Sequence, residues 1–315
     1  MILLEKILTI GIPTYNRSNY LDKCLAAFYS EITPLANLVN IYVSDNGSTD
    51  DTRDVVNKYI SMGLNIQYNR HDQNMGTEFN FLSLYEKAAT KYFWLFSDDD
   101  LVVPGVLSQL LLALNKKEYG AIYLSNAWYN DETILANEYE KLRVQELELK
   151  EYDDPIDFIE KVNYWVTFIT GTIINKSLLE GHIQPARFNG TMLNYLGWYL
   201  QAIFSKQTNL YVNNTCLVCK GNNSGGYQLY TVFGKNFNFV MDTLIKDGVD
   251  RRLKSIVNRH LLKSFFPMFI INSNKSFKKE TPLKVLIPVY WAYPVFWKSI
   301  FPTLLKKQIR NIIAV

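Results

Sequence analysis

Residues 92–100 read Tyr92-Phe93-Trp94-Leu95-Phe96-Ser97-Asp98-Asp99-Asp100. An apolar, mostly aromatic run passes through one serine into three consecutive carboxylates. Such a run, closed by a polar turn, is the pattern of a strand buried on both faces of a parallel sheet. Charges at the end of a buried strand lose solvation and repel one another unless a cation stands nearby. A divalent ion held by one or two carboxylates and by phosphate oxygens meets that need, and Mg2+ or Mn2+ suits those ligands. Aspartate is also favoured in turns and at helix starts, so the triplet alone equally admits a solvated acidic turn before a helix near Pro104.

The pattern recurs on the N-terminal side. Residues 7–12 (ILTIGI), 39–43 (VNIYV) and 64–68 (LNIQY) read as strands. Ser18 is a capping residue type ahead of a helix with Leu21, Leu25 and Phe28 on one face. Val55, Val56 and Tyr59 mark the inner face of a second helix, and residues 77–90 read as a third. Strands and helices alternate at the spacing of right-handed βαβ units. This predicts an α/β fold, Rossmann-like, with a mostly parallel central sheet flanked by helices. Ligands of such sheets bind beyond the carboxyl ends of the strands. Three polar clusters fall at those ends: Thr14 to Arg17, Ser44 to Asp50 and Ser97 to Asp100. Farther on, the chain predicts a strand at 120–124, a polar loop at 126–150, strand character at 166–175, a helix at 191–205, a flexible loop at 221–226 and helices from 228 onward.

Four segments, in their order and spacing, resemble the family 2 glycosyltransferases, which have the GT-A fold. They are Ile10-Gly11-Ile12-Pro13-Thr14-Tyr15-Asn16-Arg17, Val43-Ser44-Asp45-Asn46-Gly47-Ser48-Thr49-Asp50, Asn74-Met75-Gly76 and Phe96-Ser97-Asp98-Asp99-Asp100. The Ser-Asp-Asp-Asp form is similar to the abequosyltransferase-like subgroup, which acts on bacterial surface polysaccharides. The resemblance covers residues 6–125 well and 160–220 loosely. It implies transfer of a sugar from a nucleotide-sugar donor to a saccharide acceptor by an inverting, metal-assisted displacement. UDP is the foremost donor nucleotide, with CDP, dTDP or GDP open. The implied acceptor is a lipid-linked intermediate of O-antigen or capsule.

The resemblance also implies residue roles. Pro13, Thr14, Tyr15, Arg17 and Asn46 would line the nucleotide pocket. Asp45 would accept a hydrogen bond from the base, and Asn74 and Gly76 would border base and ribose. In the family's D-x-D pattern the last aspartate contacts the metal. Asp99 takes that place, and Ser97 stands where the first aspartate would be. Asp98 or Asp100 would compensate. Asp98 and Asp99 are thus the expected metal ligands, with Asp98 also at the nucleotide, and Asp99 and Asp100 the expected catalytic carboxylates.

Family members usually carry an acidic pair at the start of a late helix, and its aspartate is the general base that an inverting displacement needs. The comparable stretch here, Thr191-Met192-Leu193-Asn194-Tyr195-Leu196-Gly197-Trp198-Tyr199, holds no carboxylate. Asp100, Glu78 and His182 are the candidates in its place. The alternative is a catalytically weak nucleotide-sugar-binding scaffold in a polysaccharide assembly complex. Trp198 and Tyr199 can stack on sugar faces or pack in the core. No G-x-G-x-x-G follows the first strand, which argues against a dinucleotide oxidoreductase.

The 315 residues are 48% hydrophobic and 20% charged, enough for a sizeable core and unlike a disordered chain. Charge is unevenly spread. Residues 249–315 hold 13 Lys/Arg against 2 Asp/Glu, while the rest of the chain is acidic. Residues 285–297 (VLIPVYWAYPVFW) are wholly apolar, interrupted by Pro288 and Pro294 and flanked by Lys284, Lys298, Lys306, Lys307 and Arg310. A Trp- and Tyr-rich segment with such flanks is expected to lie in the interface of an anionic membrane, with a packed helix as the alternative. No nucleic-acid reader motif accompanies it, so nucleic acid is not an expected partner.

The expected division is a GT-A catalytic domain over 1–225, with its nucleotide-sugar half at about 1–125 and its acceptor half at about 126–225. A helical, basic, membrane-associating extension would follow over 226–315. Three cysteines and an opening Met1-Ile2-Leu3-Leu4-Glu5 without signal-peptide layout predict a cytoplasmic protein, peripheral on the inner face of the cell membrane. The Cys216-x-x-Cys219 pair lacks further zinc ligands and is expected to be structural.

Overall fold

The computed structural model describes residues 6–32, 35, 38–129, 139–205, 207–221, 226–271 and 277–306. The N-terminal half alternates β1 (Leu8–Thr14), α1 (Ser18–Ile32), β2 (Val39–Asp45), α2 (Thr52–Ser61), β3 (Ile66–Arg70), α3 (Thr77–Lys87) and β4 (Tyr92–Leu95). These strands lie in the order β3-β2-β1-β4 and are all parallel. The second half adds β5 (Leu101–Val102), α4 (Val106–Lys116), β6 (Ala121–Tyr129), β7 (Leu149–Tyr152), α5 (Pro155–Val162), β8 (Thr172–Asn175), α6 (Leu196–Ile203) and β9 (Asn209–Lys220). Here β8 is antiparallel to both β4 and β6, β9 runs parallel to β6, and β5 and β7 pair antiparallel with β9.

The sheet divides two apolar layers. Along β4, Tyr92, Trp94 and Phe96 join Ile10, Ile12 and Val43 in one layer, under α1, α2 and α4. Phe93 and Leu95 point the other way, to α3, α5 and α6. This is the two-residue period of a strand buried on both faces. Each large side chain so buried contributes about 1.5–3 kcal/mol. Trp94 also satisfies its indole N–H, which donates to the Thr170 carbonyl at 2.7 Å. Between layers of helix, the Glu31 carboxylate at the end of α1 accepts the backbone N–H groups of Gly105 (2.8 Å) and Leu107 (3.3 Å). It thereby satisfies donors that α4 leaves open at its start.

The C-terminal helices α7 (Phe237–Lys246), α8 (Arg252–His260), α9 (Phe266–Ile271) and α10 (Pro282–Tyr290) pack into the same layer as α3, α5 and α6. A buried polar chain links them: Asn238 donates to Asn258 at 3.1 Å, and Asn258 to the Tyr293 hydroxyl at 2.9 Å. Among the described residues no helix is long and apolar enough to cross a membrane. In the apolar 285–304 stretch, Leu286, Tyr290, Phe296, Ile300 and Leu304 face the core, while Trp291 (66%) and Trp297 (42%) are exposed.

Several expectations change. Residues 163–171 form short helical turns, and only Thr172–Asn175 is strand. There the Trp94 indole takes the Thr170 carbonyl, a partner outside any ladder. The helix expected at 191–205 starts at Leu196, after a turn in which the Thr191 hydroxyl accepts the Leu193 N–H. Strand β6 extends into the expected loop to Tyr129, and β7 ends it; residues 130–138 lie outside the described residues, as do 222–225 of the expected loop at 221–226. Ser18 opens α1, but the cap comes from Asp50, whose carboxylate accepts the Ser18 N–H at 2.9 Å. Trp198 and Tyr199 are core residues, Trp198 stacking on Tyr85 at 4.2 Å between ring centroids.

Candidate active site

The carboxyl ends of β1, β2 and β4 converge as their order requires. Thr14 lies in register with Asp45, and its hydroxyl donates to Asp98 Oδ2 at 2.8 Å. Arg17, just beyond β1, forks across the triplet. Its Nη1 donates to Asp98 Oδ1 and its Nη2 to Asp99 Oδ2, each at 2.7 Å. The other Asp99 oxygen accepts the Ser97 hydroxyl at 2.5 Å. Asp100 turns elsewhere. It accepts the Thr170 hydroxyl at 2.5 Å and the Lys220 backbone N–H at 3.2 Å, which pins the end of β4 to the approach to β8 and to the end of β9.

All three carboxylates are at most 3% exposed. Burial pushes the Asp98 carboxyl up to about 7; Arg17 pulls it back and Asp99 pushes it further. Burial, then Asp99, likewise raises Asp100 to about 7. Both shifts come first from burial, and Arg17 offsets it only at Asp98. Among the described residues no three His, Cys, Asp or Glu side chains converge to hold a metal ion. The donors do fit the other mode of holding one. Asp98 and Asp99 offer hard carboxylate oxygens, and a cation there would complete its shell from a ligand's phosphates.

The second cluster forms a cradle beside the first. Asp45 is fully buried. Its Oδ1 accepts the Ser48 N–H at 2.7 Å and its Oδ2 the Tyr68 hydroxyl at 2.6 Å, with Arg70 Nε at 3.8 Å. Burial and the Asp45 carboxylate raise the Tyr68 hydroxyl, which stays a neutral donor. Asn46 bridges to the third segment. Its Nδ2 donates to Asn74 Oδ1 (2.9 Å) and to the Gly76 carbonyl (3.2 Å), and its Oδ1 accepts the Met75 N–H (2.9 Å). Gly47 has φ +82°, and a Cβ there would come within 2.7 Å of the Gln73 backbone, so no other residue fits this crossing. Asn16 locks the first loop to the second, its Oδ1 accepting the Thr49 N–H at 2.7 Å. Pro13 lies in β1 opposite Ser44, and Tyr15 is exposed at the rim. The structure thus gathers Pro13, Thr14, Arg17, Asp45, Asn46, Asn74, Gly76, Asp98 and Asp99 at one edge.

The general-base candidates separate. Both Asp100 oxygens are engaged by Thr170 and Lys220. His182 is exposed in a turn, its N–H donating to the Leu179 carbonyl. Glu78, in the first turn of α3, sits against the late segment. Its Oε2 accepts the Gly190 N–H at 2.8 Å, and Asn194 Nδ2 donates to its backbone carbonyl at 3.0 Å. Its Oε1 is buried with no hydrogen-bond partner. All three cysteines are buried free thiols. Burial raises the Cys216 thiol to about 12 and holds the Cys219 thiol well above its usual range, so the pair is inert. Sequence reasoning missed Tyr68, Thr170 and Lys220. Thr170 sat in a stretch read as strand, and the apolar pattern of β9 is interrupted at its middle.

The chain is similar to several known proteins. The model of glycosyl transferase family 2 matches residues 9–182. Abequosyltransferase RfbV of Salmonella typhimurium is 24% identical over 229 residues, 69% of this chain and 67% of that protein. Validoxylamine A glucosyltransferase of Streptomyces hygroscopicus subsp. jinggangensis is 47% identical over 53 residues, only 17% of this chain and 12% of that protein. Among solved structures, S. aureus TarS 1-349 in complex with UDP has a TM-score of 0.62 at 14% identity, covering 88% of this chain and 77% of its own. The mannosyltransferase PcManGT from Pyrobaculum calidifontis, in complex with GDP-Man and Mn2+, has a TM-score of 0.57 at 14% identity, covering 98% of this chain and 88% of its own. The folds are shared with these enzymes, and the family match spans more than half of the sequence, including the strand ends that carry Thr14, Asp45 and Asp98 to Asp100. The chain belongs to glycosyl transferase family 2.

Proposed function

We propose that the protein transfers a sugar from a nucleotide-sugar donor, UDP-linked foremost, to a saccharide acceptor of bacterial surface polysaccharide. The observation that carries this reading is the bonding of Thr14 and Arg17 at the end of β1 to Asp98 and Asp99 at the end of β4, beside the Asp45 cradle. TarS binds UDP and UDP-GlcNAc in its solved complexes, and PcManGT binds GDP-Man with Mn2+. Abequosyltransferase RfbV supports the surface-polysaccharide setting.

In this reading Asp45 accepts an N–H of the base, Pro13, Thr14 and Asn46 shape the pocket, and the exposed Tyr15 ring covers it. Asn74 and Gly76 border the ribose. Asp98 and Asp99 would hold Mg2+ or Mn2+, which supplies Lewis-acid stabilisation of the leaving diphosphate. Arg17, 36% exposed, then turns from the two carboxylates toward the diphosphate. Asp100 serves the same centre by fixing the strand end. Glu78 accepts the acceptor's proton through its unpartnered Oε1, in place of the carboxylate that the late helix lacks. This carboxylate favours turnover over a binding-only scaffold.

The second half of the sheet forms the acceptor side, and the region from 226 onward holds the enzyme at the cytoplasmic face of an anionic membrane. The exposed Trp291 and Trp297 beside Lys298 support that attachment, and with it a lipid-linked acceptor. A thermal-shift series with UDP-, GDP-, CDP- and dTDP-sugars, with and without Mn2+, tests the donor reading. One donor at 100 times its Kd adds about 2.7 kcal/mol of stability. No shift with any of them would sink it.

A further inference from the structure

A cavity of about 340 Å3 is used by none of the roles above. Its size is that of a small-molecule site. It lies between the paired strands β6 and β9 and the end of α5. A register shift between Leu124 and Asn126 re-aims the end of β6, so that Tyr123, Asn126 and Trp128 all line the same cavity.

The lining is aromatic with polar atoms at intervals. Trp128 leaves 48% of its surface exposed. It leans on Trp165 at 5.9 Å and Phe168 at 5.4 Å between ring centroids. Tyr123 and Tyr211 stack at 5.6 Å, and Lys161 Nζ lies over the Tyr211 ring at 4.4 Å. The Asn126 Nδ2 donor is buried with no hydrogen-bond partner. A buried amide donor without a partner is a costly feature in a folded protein.

The cavity adjoins the reacting edge. Trp128 pairs in register with Cys219, and Tyr129 with Lys220, whose N–H donates to Asp100. Phe168, on which Trp128 leans, is two residues from Thr170, whose hydroxyl holds the same carboxylate.

We infer that this cavity is the subsite for a pyranose ring of the acceptor, with Trp128 as its stacking platform. A pyranose presents one face of C–H groups and a rim of hydroxyls. The C–H face matches the electron-rich face of an indole, and the rim hydroxyls accept from Asn126 Nδ2 and Lys161 Nζ. The inference deepens the transferase reading and rests on it for the word acceptor.

The test uses the full chain and a panel of methyl glycosides of glucose, galactose, mannose, rhamnose and glucuronic acid at millimolar concentration. Binding is read by saturation-transfer NMR, and nucleotide-sugar binding by thermal shift on the same samples. At least one glycoside should give a saturation-transfer signal that falls at least fivefold in Trp128→Ala and in Asn126→Leu and persists in Trp128→Phe, while the nucleotide-sugar shift is unchanged in all three. Signals that survive Trp128→Ala and Asn126→Leu, or no signal from any glycoside in the native chain, would overturn the subsite. Glycoside binding lost with Trp128 in a protein that binds no nucleotide sugar would leave the pyranose site standing and sink the transferase reading instead.

Discussion

The guanidinium of Arg17 donates to the carboxylate of Asp99 at 2.7 Å across the gap between the first and fourth strand ends. With its second branch on Asp98, Arg17 stands where a divalent cation would compete for the same oxygens. Replacing Arg17 with Gln should therefore destabilise the metal-free protein by about 1–3 kcal/mol, since a charge pair with one buried partner is broken. It should also enlarge the melting-temperature gain on adding Mn2+. Equal Mn2+ shifts in native and Arg17→Gln protein would show that arginine and metal do not share the site.

The raised carboxyls give chelator-treated protein a pH dependence of definite sign. Asp98 and Asp100 ionise near 3.8 when unfolded and near 7 when folded. A raised folded value means that stability is fully present at low pH and falls as pH rises from about 4 to about 7. Asp100→Asn removes one of these ionisations. Its melting temperature should drop less than the native protein's between pH 5 and pH 8, both in EDTA. Parallel curves would count against the assignment.

The proton-transfer role proposed for Glu78 makes a prediction of its own. Glu78→Gln keeps the shape and an acceptor for the Gly190 N–H but removes the base. The turnover number should fall about 10²–10⁴-fold, with the nucleotide-sugar thermal shift unchanged. A variant that turns over at the native rate would remove Glu78 from the mechanism.

Glu31 makes a structural prediction far from the chemistry. Glu31→Ala leaves the Gly105 and Leu107 N–H groups without an acceptor at a buried helix start. The expected loss is about 1–3 kcal/mol, read by urea denaturation, with no change in donor affinity.

The exposed tryptophans test the proposed membrane attachment. The double variant Trp291→Ala, Trp297→Ala should sediment less with vesicles containing phosphatidylserine, and its activity toward a soluble acceptor should be retained. Equal sedimentation of native and variant protein would remove these tryptophans from the proposal.

The N-terminal half was readable because its signals are local. Each strand there is a short apolar run, each carboxyl end carries a polar cluster, and a parallel sheet brings those ends together by topology alone. The partners of those clusters were not readable. Thr170 reaches Asp100 across 70 residues and Lys220 across 120, and no periodicity records such a meeting. Strand β9 escaped notice because Asn213, Asn214 and Thr215 break its apolar pattern, at the point where its pairing with β6 shifts register. Trp128 was passed over for a related reason. It stands at the edge of a polar stretch, while the more conspicuous Trp198 is packed on Tyr85.

The C-terminal helices have a consequence for anyone who would trim the enzyme. Leu244, Leu253, Phe266, Leu286, Tyr290 and Phe296 belong to the same apolar layer as Tyr85, Phe93 and Trp198, and Asn236 donates to the Thr191 carbonyl at 2.9 Å. Cutting the chain near residue 226 to discard a greasy tail would strip one wall from the interior and uncover the backs of α5 and α6. The shortened product should aggregate, whereas point changes confined to the outward tryptophans should improve solubility and leave the interior intact.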